Sequence, residues 1–207
     1  MPCWTSSQRP TDGSAKSKLV LRRGFKSEAN WLARDVRRSI GVPDIAPLPP
    51  AQLAQHLEID VLPLSALAAD CPMAVRHLGL GRGLEEFSAV TVHRDGRRLV
   101  VHNDHHHPNR QAANIAHELA HALLHHPPHG LLGTQGERTY ERVMEAEANW
   151  LGPALLVSEE AALWIVEEDL SVPRASAFFR VSKAVIEMRL RAVAARKRIA
   201  ARRAKAA

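Results

Sequence analysis

The amino-acid sequence predicts a mixed α+β fold that ends in a run of helices, and three stretches carry that expectation. "GFKSEANWLARDVRRSIGV" places apolar residues at helical spacing. "FSAVTVHRDGRRLVVHN" reads as two short strands of alternating character around an Asp-Gly turn. "NIAHELAHALLHH" is an alanine- and leucine-rich helix that carries an unusual number of imidazoles. With 207 residues, 45% of them hydrophobic, the chain is long enough for one sizeable core plus a small helical appendage.

In chain order, residues 1–21 are rich in Ser, Lys, Pro and Gly and read as disordered. The first helix follows, with Ser27 expected as its N-cap, Ala29, Leu32, Val36 and Ile40 on its apolar side, and Gly41 as its stop. The proline-broken "PDIAPLPP" leads into "AQLAQHLEIDVLPL", a short helix and then a strand. "GLGRG" at 79–83 lacks a following helix and a later ribose-binding acid, so it reads as a loop and not as a nucleotide fingerprint. The strand pair occupies 87–103, with Asp95-Gly96 supplying the turn, and a long helix is expected at 109–126. "ERVMEAEANWLGPALL" is a further helix, packing through Val143, Met144, Leu151 and Leu155. In "ASAFFRVSKAVIEMRLRAV" a turn at "RVS" precedes a helix capped by Ser182, with Val185, Ile186 and Leu190 at helical spacing, as in a helix-turn-helix. The expected domains are therefore 1–21, disordered; 22–157, the main α+β domain; 158–194, a helix-turn-helix-like segment; and 195–207, a basic tail.

Composition excludes several classes. Only Cys3 and Cys71 occur, which rules out a disulfide framework or a cysteine-rich zinc site and fits a reducing interior. The N-terminus is polar, and no apolar run approaches the roughly 20 residues needed to cross a bilayer, so a cytoplasmic protein with no membrane partner is expected. A net charge of +6 speaks to association with acidic partners and not to chemistry.

The imidazoles are explained on a helical wheel. With His117 at the origin and about 100° per residue, His121 lies near 40° and Glu118 near 100°, whereas Ile115, Leu119, Ala122 and Leu123 fall between roughly 140° and 240°. The two histidines thus turn away from the apolar stripe. Imidazoles one turn apart can both reach one Zn²⁺, and Glu118 stands beside the open coordination position, where a carboxylate can take a proton from water. A catalytic zinc site needs a third protein ligand. Glu145 is preferred to Glu147, since one helix cannot easily offer both to a single ion, and Asn149, one turn from Glu145, is placed to hydrogen-bond a ligand histidine.

The sequence from about residue 22 to 192 resembles the ImmA/IrrE-type metallopeptidases. "RRGFKSEANWLARDVRRSIGV" and "APLPPAQLAQHLEIDVLPL" are similar to that family's opening segments. "VVHNDHHHPNRQAANIAHELAHALLHH" resembles its strand and zinc helix, and "EAEANWLGPALLVS" its glutamate helix. The resemblance implies a small zincin-like domain followed by helix-turn-helix-like helices. It implies His117, His121 and Glu145 as zinc ligands and Glu118 as catalytic base. It also implies, as function, cleavage of a helix-turn-helix transcriptional repressor, in transcription regulation or a stress response. The chain departs from the family pattern at Ala120, where glycine is usual, at Trp150-Leu151, where Phe-Ala is usual, and at "LLVS", where "LLMP" is usual.

The remaining candidates are weaker. His102, His105, His106 and His107 in "HNDHHHPN" read as a solvated loop. His125, one turn past His121, and Tyr140, the single tyrosine, are candidates for stabilising an oxyanion. The tail "RKRIAARRAKAA" reads as a frayed, solvated helix end that could contact nucleic acid weakly and without sequence preference. The competing expectation is a DNA-associated regulator with a structural or vestigial zinc site, a reading weakened by Arg180 standing where the usual turn glycine would be.

Overall fold

The computed structural model describes residues 21–94, 96–127 and 135–206. The expectations for residues 1–20, for Asp95 in the turn and for the Tyr140 side chain lie outside the described part. Helix α1 (Phe25–Ser39) and α2 (Pro50–His56) lead into strand β1 (Asp60–Pro63) and a single 3-10 turn (Leu64–Leu67). Helices α3 (Pro72–Gly79) and α4 (Gly81–Glu86) follow, then β2 (Ala89–Arg94) and β3 (Arg97–His102). The rest is helical: α5 (Pro108–Leu123), α6 (Gln135–Leu156), α7 (Glu159–Glu167), α8 (Val172–Phe179), α9 (Lys183–Ala192) and α10 (Ala195–Ala206).

The described strands form one sheet in the order β1-β3-β2. β2 and β3 are antiparallel, with Ala89 opposite His102 and Arg94 opposite Arg97, so the hairpin closes over two residues, and Gly96 takes φ +76 as the tight turn demands. β1 runs parallel to β3, from Asp60 opposite Leu99 to Pro63 opposite His102. β2 is consequently an edge strand. Its outward Val90 and Val92 are exposed, whereas Thr91 between them turns toward α5.

Two apolar clusters hold the fold together. The first joins Phe25, Ala29, Ala33 and Val36 of α1 with Leu53 of α2, Val100 of β3, Leu119 of α5 and Leu151 and Leu155 of α6. Leu119, Leu151 and Leu155 are fully buried, each stabilising the fold by roughly 1.5–3 kcal/mol. The second joins Ala116, Leu156 and Val157 with Ile165, Ala175, Phe179, Val181, Ile186, Leu190 and Ile199 from the C-terminal helices. α5 and the end of α6 therefore contribute to both clusters. Two buried arginines lie where these clusters meet. Arg37 donates to the carbonyls of Pro43, Ala46, Leu155 and Leu156 at 2.8–3.2 Å, and Arg189 donates to the Val157 carbonyl at 2.8 Å and to Asn30 Oδ1 at 3.0 Å.

Several expectations are corrected here. α1 begins at Phe25 with Gly24 as N-cap, not at Ser27, because burial of Phe25 extends the helix by most of a turn. "GLGRG" is not a loop: Gly79 ends α3, and Gly81–Glu86 form α4. The imidazoles of "HNDHHHPN" are not uniformly solvated. His102 and His106 are buried, with His106 Nε2 2.7 Å from the Leu84 carbonyl, and His107 Nδ1 caps α5 by accepting from the Asn109 N–H. The basic segment from Ala195 is a helix with Ala195 and Ile199 buried, tied to α7 by the Arg198–Glu159 ion pair and by Arg203 donating to the Glu167 carbonyl at 3.0 Å. No helix among the described residues is long and apolar enough to cross a membrane.

Candidate metal centre and peptidase site

α5 and α6 build the site by packing closely. A Cβ on Gly152 would lie 3.2 Å from the Ala116 carbonyl oxygen and from the His117 backbone, so a larger residue would push α6 away from α5 by a few tenths of an ångström. Glu145 stands seven residues before Gly152, two helical turns along the same face, and so reaches the imidazoles. Pro153 also sits inside α6 and withholds a hydrogen bond from the Asn149 carbonyl, which is tolerable where Asn149 is exposed.

His117, His121 and Glu145 each direct one donor atom to a common point. The two Nε2 atoms lie 3.1 Å apart, Glu145 Oε2 is 3.4 Å from His117 Nε2, and Glu145 Oε1 is 3.2 Å from His121 Nε2. Four ligands at about 2.05 Å around a tetrahedral ion are separated by about 3.3 Å, so the two imidazole nitrogens and the Glu145 carboxylate, which meets one nitrogen with each oxygen, stand close to the spacing Zn²⁺ requires. Two imidazoles and a carboxylate also match the donor chemistry of catalytic zinc, and the set fits the ion. Hydrogen bonds with His117 and His121 hold the Glu145 carboxyl well below the usual carboxylate range, overcoming the opposite pull of burial.

Glu118 follows His117 on α5, and its Oε2 accepts a 2.6 Å hydrogen bond from Thr91 Oγ1 on the edge strand. Thr91, His93, Arg98, Glu118, His121, His126 and Pro127 line a cavity of about 20 Å³. That is room for about one water. The carboxylate is therefore oriented from the sheet side at a space of solvent size beside the imidazoles.

Behind His121 lies a polar chain that the sequence did not reveal. α5 stops at Leu123, with Leu124 as C-cap and His125 in the left-handed region at φ +54. The His125 N–H donates to the Ala122 carbonyl at 3.1 Å and the His126 N–H to the His121 carbonyl at 3.0 Å, a Schellman closure. This turn folds His126 back onto His121, with their Nδ1 atoms 2.9 Å apart. His126 Nε2 faces Glu147 Oε2 at 3.4 Å, and Glu147 Oε1 accepts from Arg22 Nε at 2.6 Å. Burial, reinforced by the neighbouring His121, pushes His126 below the ordinary histidine value.

The expectation that Asn149 supports a ligand histidine is thus corrected: Asn149 is exposed, and His126 meets His121 instead. Glu145 and Glu147 separate as helical geometry requires, one beside the two histidines and the other beside His126. His125 is also displaced. The wheel extrapolated α5 beyond its true end, and His125 is exposed in a different groove of about 750 Å³, with Glu58, Asp60 and Arg97. Thr91 left one faint signal, the Val90-Thr91-Val92 alternation that sets it on the opposite face from two valines.

Residues 72–191 match the family model for the IrrE N-terminal-like domain, Peptidase_M78. The chain belongs to this family. No curated protein matches it. The matched span runs from α3 through most of α9, so it includes Thr91, both site histidines, Glu118, His126, Glu145 and Glu147, while α1 and Arg22 lie before it. Membership in the IrrE-like peptidases implies a protein substrate, and the mixed α+β architecture with its three-stranded sheet agrees with a small zincin-like domain followed by helices.

Proposed function

We propose that this IrrE-like protein is a zinc-dependent endopeptidase whose substrate is an exposed loop of a helix-turn-helix transcriptional repressor. His117, His121 and Glu145 hold the ion, and Glu118 is the catalytic base. The observation that carries this reading is the spacing of 3.1–3.4 Å among the three donor groups, with Glu118 oriented beside them by Thr91. When bound, Zn²⁺ supplies Lewis acidity, polarising the scissile carbonyl and lowering the pKa of water toward about 7. Glu118 takes the proton of the attacking water and delivers it to the leaving amine. Thr91 occupies Oε2 of Glu118, which leaves Oε1 to carry that proton. The choice of a repressor as substrate rests on the family resemblance.

Glu118→Gln tests the mechanism because it preserves size and helix propensity but cannot accept the proton. Purified helix-turn-helix repressors from the same genome, incubated with the protein and followed by mass spectrometry, should be cleaved by the wild type. The variant should retain zinc and cleave about 10²–10⁴-fold more slowly. Equal cleavage by both proteins rules the mechanism out.

The alternative, a DNA-associated regulator, draws on α8 and α9, joined by Arg180 at φ +53 with Ser182 capping α9 through the Val185 N–H. Against it, Arg189 of α9 points into the protein, and Arg198 and Arg203 are engaged by α7.

A further inference from the structure

We infer that His126 and Glu147 are positioning residues that lock His121 in the one tautomer and ring orientation competent to bind metal. The inference rests on the zinc-site reading above and adds a second layer to it. If Nε2 of His121 gives its lone pair to the ion, the proton of that neutral ring is on Nδ1. Nδ1 must then donate to a partner, and the atom 2.9 Å away is His126 Nδ1. To accept, neutral His126 carries its own proton on Nε2, which points at Glu147 Oε2, 3.4 Å away. Glu147 in turn accepts at Oε1 from Arg22 Nε, and Arg22 Nη2 donates to Glu28 at 2.7 Å. From His121 through His126 each donor then points toward Glu147, and Arg22 donates to that carboxylate from the other side.

The backbone enforces the same contact. The closure at His125 binds the His126 N–H to the His121 carbonyl, so the two residues are tied by main chain and side chain together. His121, His126 and Glu147 are 8%, 7% and 5% exposed, so the line of contacts is largely shielded from water. The arrangement also accounts for two glutamates in "EAEANW": Glu145 faces the metal position, and Glu147 secures the far side of the ligand. A carboxylate is required at 147 because it must accept at both oxygens. An amide would set one N–H₂ against either Arg22 or His126.

The test measures zinc affinity by chelator competition on the full chain, with the visible spectrum of the Co²⁺-loaded protein as a geometric readout and the melting point of each metal-free variant as a control. His126→Phe fills the space but cannot accept, and zinc affinity should fall about 10–100-fold with altered Co²⁺ bands. His126→Asn packs less well but keeps an acceptor near the Nδ1 position, and it should recover most of the loss. A role in packing alone predicts the reverse order. Glu147→Gln should lower the metal-free melting point and, measured at a temperature where the variant is folded, weaken zinc severalfold, and it carries the test if His126→Phe does not fold. Wild-type affinity in Glu147→Gln, or tighter binding by the Phe than by the Asn variant, overturns this inference while leaving the zinc site intact. Absence of zinc binding by the wild type overturns both.

Discussion

Helix α6 buries charge along its length in two different ways. Near its middle, Glu145 and Glu147 meet three histidines. At its C-terminal end the carbonyls of Leu155, Leu156 and Val157 accept from the guanidinium groups of Arg37 and Arg189, neither of which is exposed. Those carbonyls are the negative pole of the helix, and cations there satisfy acceptors that would otherwise be orphaned. Burial lowers both arginines to about 10, yet they remain charged at neutral pH. The Glu145 side chain, by contrast, stays 38% exposed at the opening of the site. The arginine end is shut off from solvent, whereas the end that carries the candidate metal ligands keeps one face open.

The largest consequence for stability should come from the closed end. Arg37→Met removes the partner of four carbonyls and should cost on the order of 3 kcal/mol, lowering the melting point by roughly 10 °C. Zinc affinity measured at a temperature where the variant is folded should not change. A large drop in affinity would mean that the two ends of α6 are coupled and would break the comparison.

Next in size is Thr91→Val, which keeps the β-branched shape of the edge strand and removes only the hydrogen bond to Glu118. Peptidase turnover should fall about tenfold, with zinc content and melting temperature preserved. Unchanged turnover would show that Glu118 needs no orientation from the sheet.

The smallest effect is expected at the left-handed residue that turns His126 inward. His125→Gly relieves a side chain held at φ +54 and should stabilise the fold by about 0.5–1 kcal/mol, leaving zinc binding as it was. A destabilised variant would show that the His125 ring contributes more contact energy than its backbone costs.

The same contrast separates what was legible in the sequence from what was not. α1, the β2–β3 hairpin and the turn before α9 were readable because each depends on local period, a turn residue or a cap within a few positions. The His117–His121 spacing follows from helix geometry and the pairing with Glu145 from the family resemblance, and the structure brings those side chains together. α3 and α4 escaped notice because they are short and lack a side-chain N-cap hydrogen bond. His126 was hidden by the end of α5, where a left-handed residue breaks the wheel that had pointed to His125. The contacts of Arg37 with Leu155 and Leu156, of Arg189 with Val157 and of Arg22 with Glu147 could not be foreseen, since these partners lie more than 30 residues away and no periodicity encodes them.

The most direct measurement is a calorimetric titration of zinc into the metal-free full chain, its Glu118→Gln variant and its His121→Ala variant. The wild type and Glu118→Gln should each bind about one equivalent tightly, because the base is not a ligand, and His121→Ala should lose at least about 100-fold in affinity. Wild-type binding by His121→Ala, or loss of zinc from Glu118→Gln, would contradict the assignment of ligands and base.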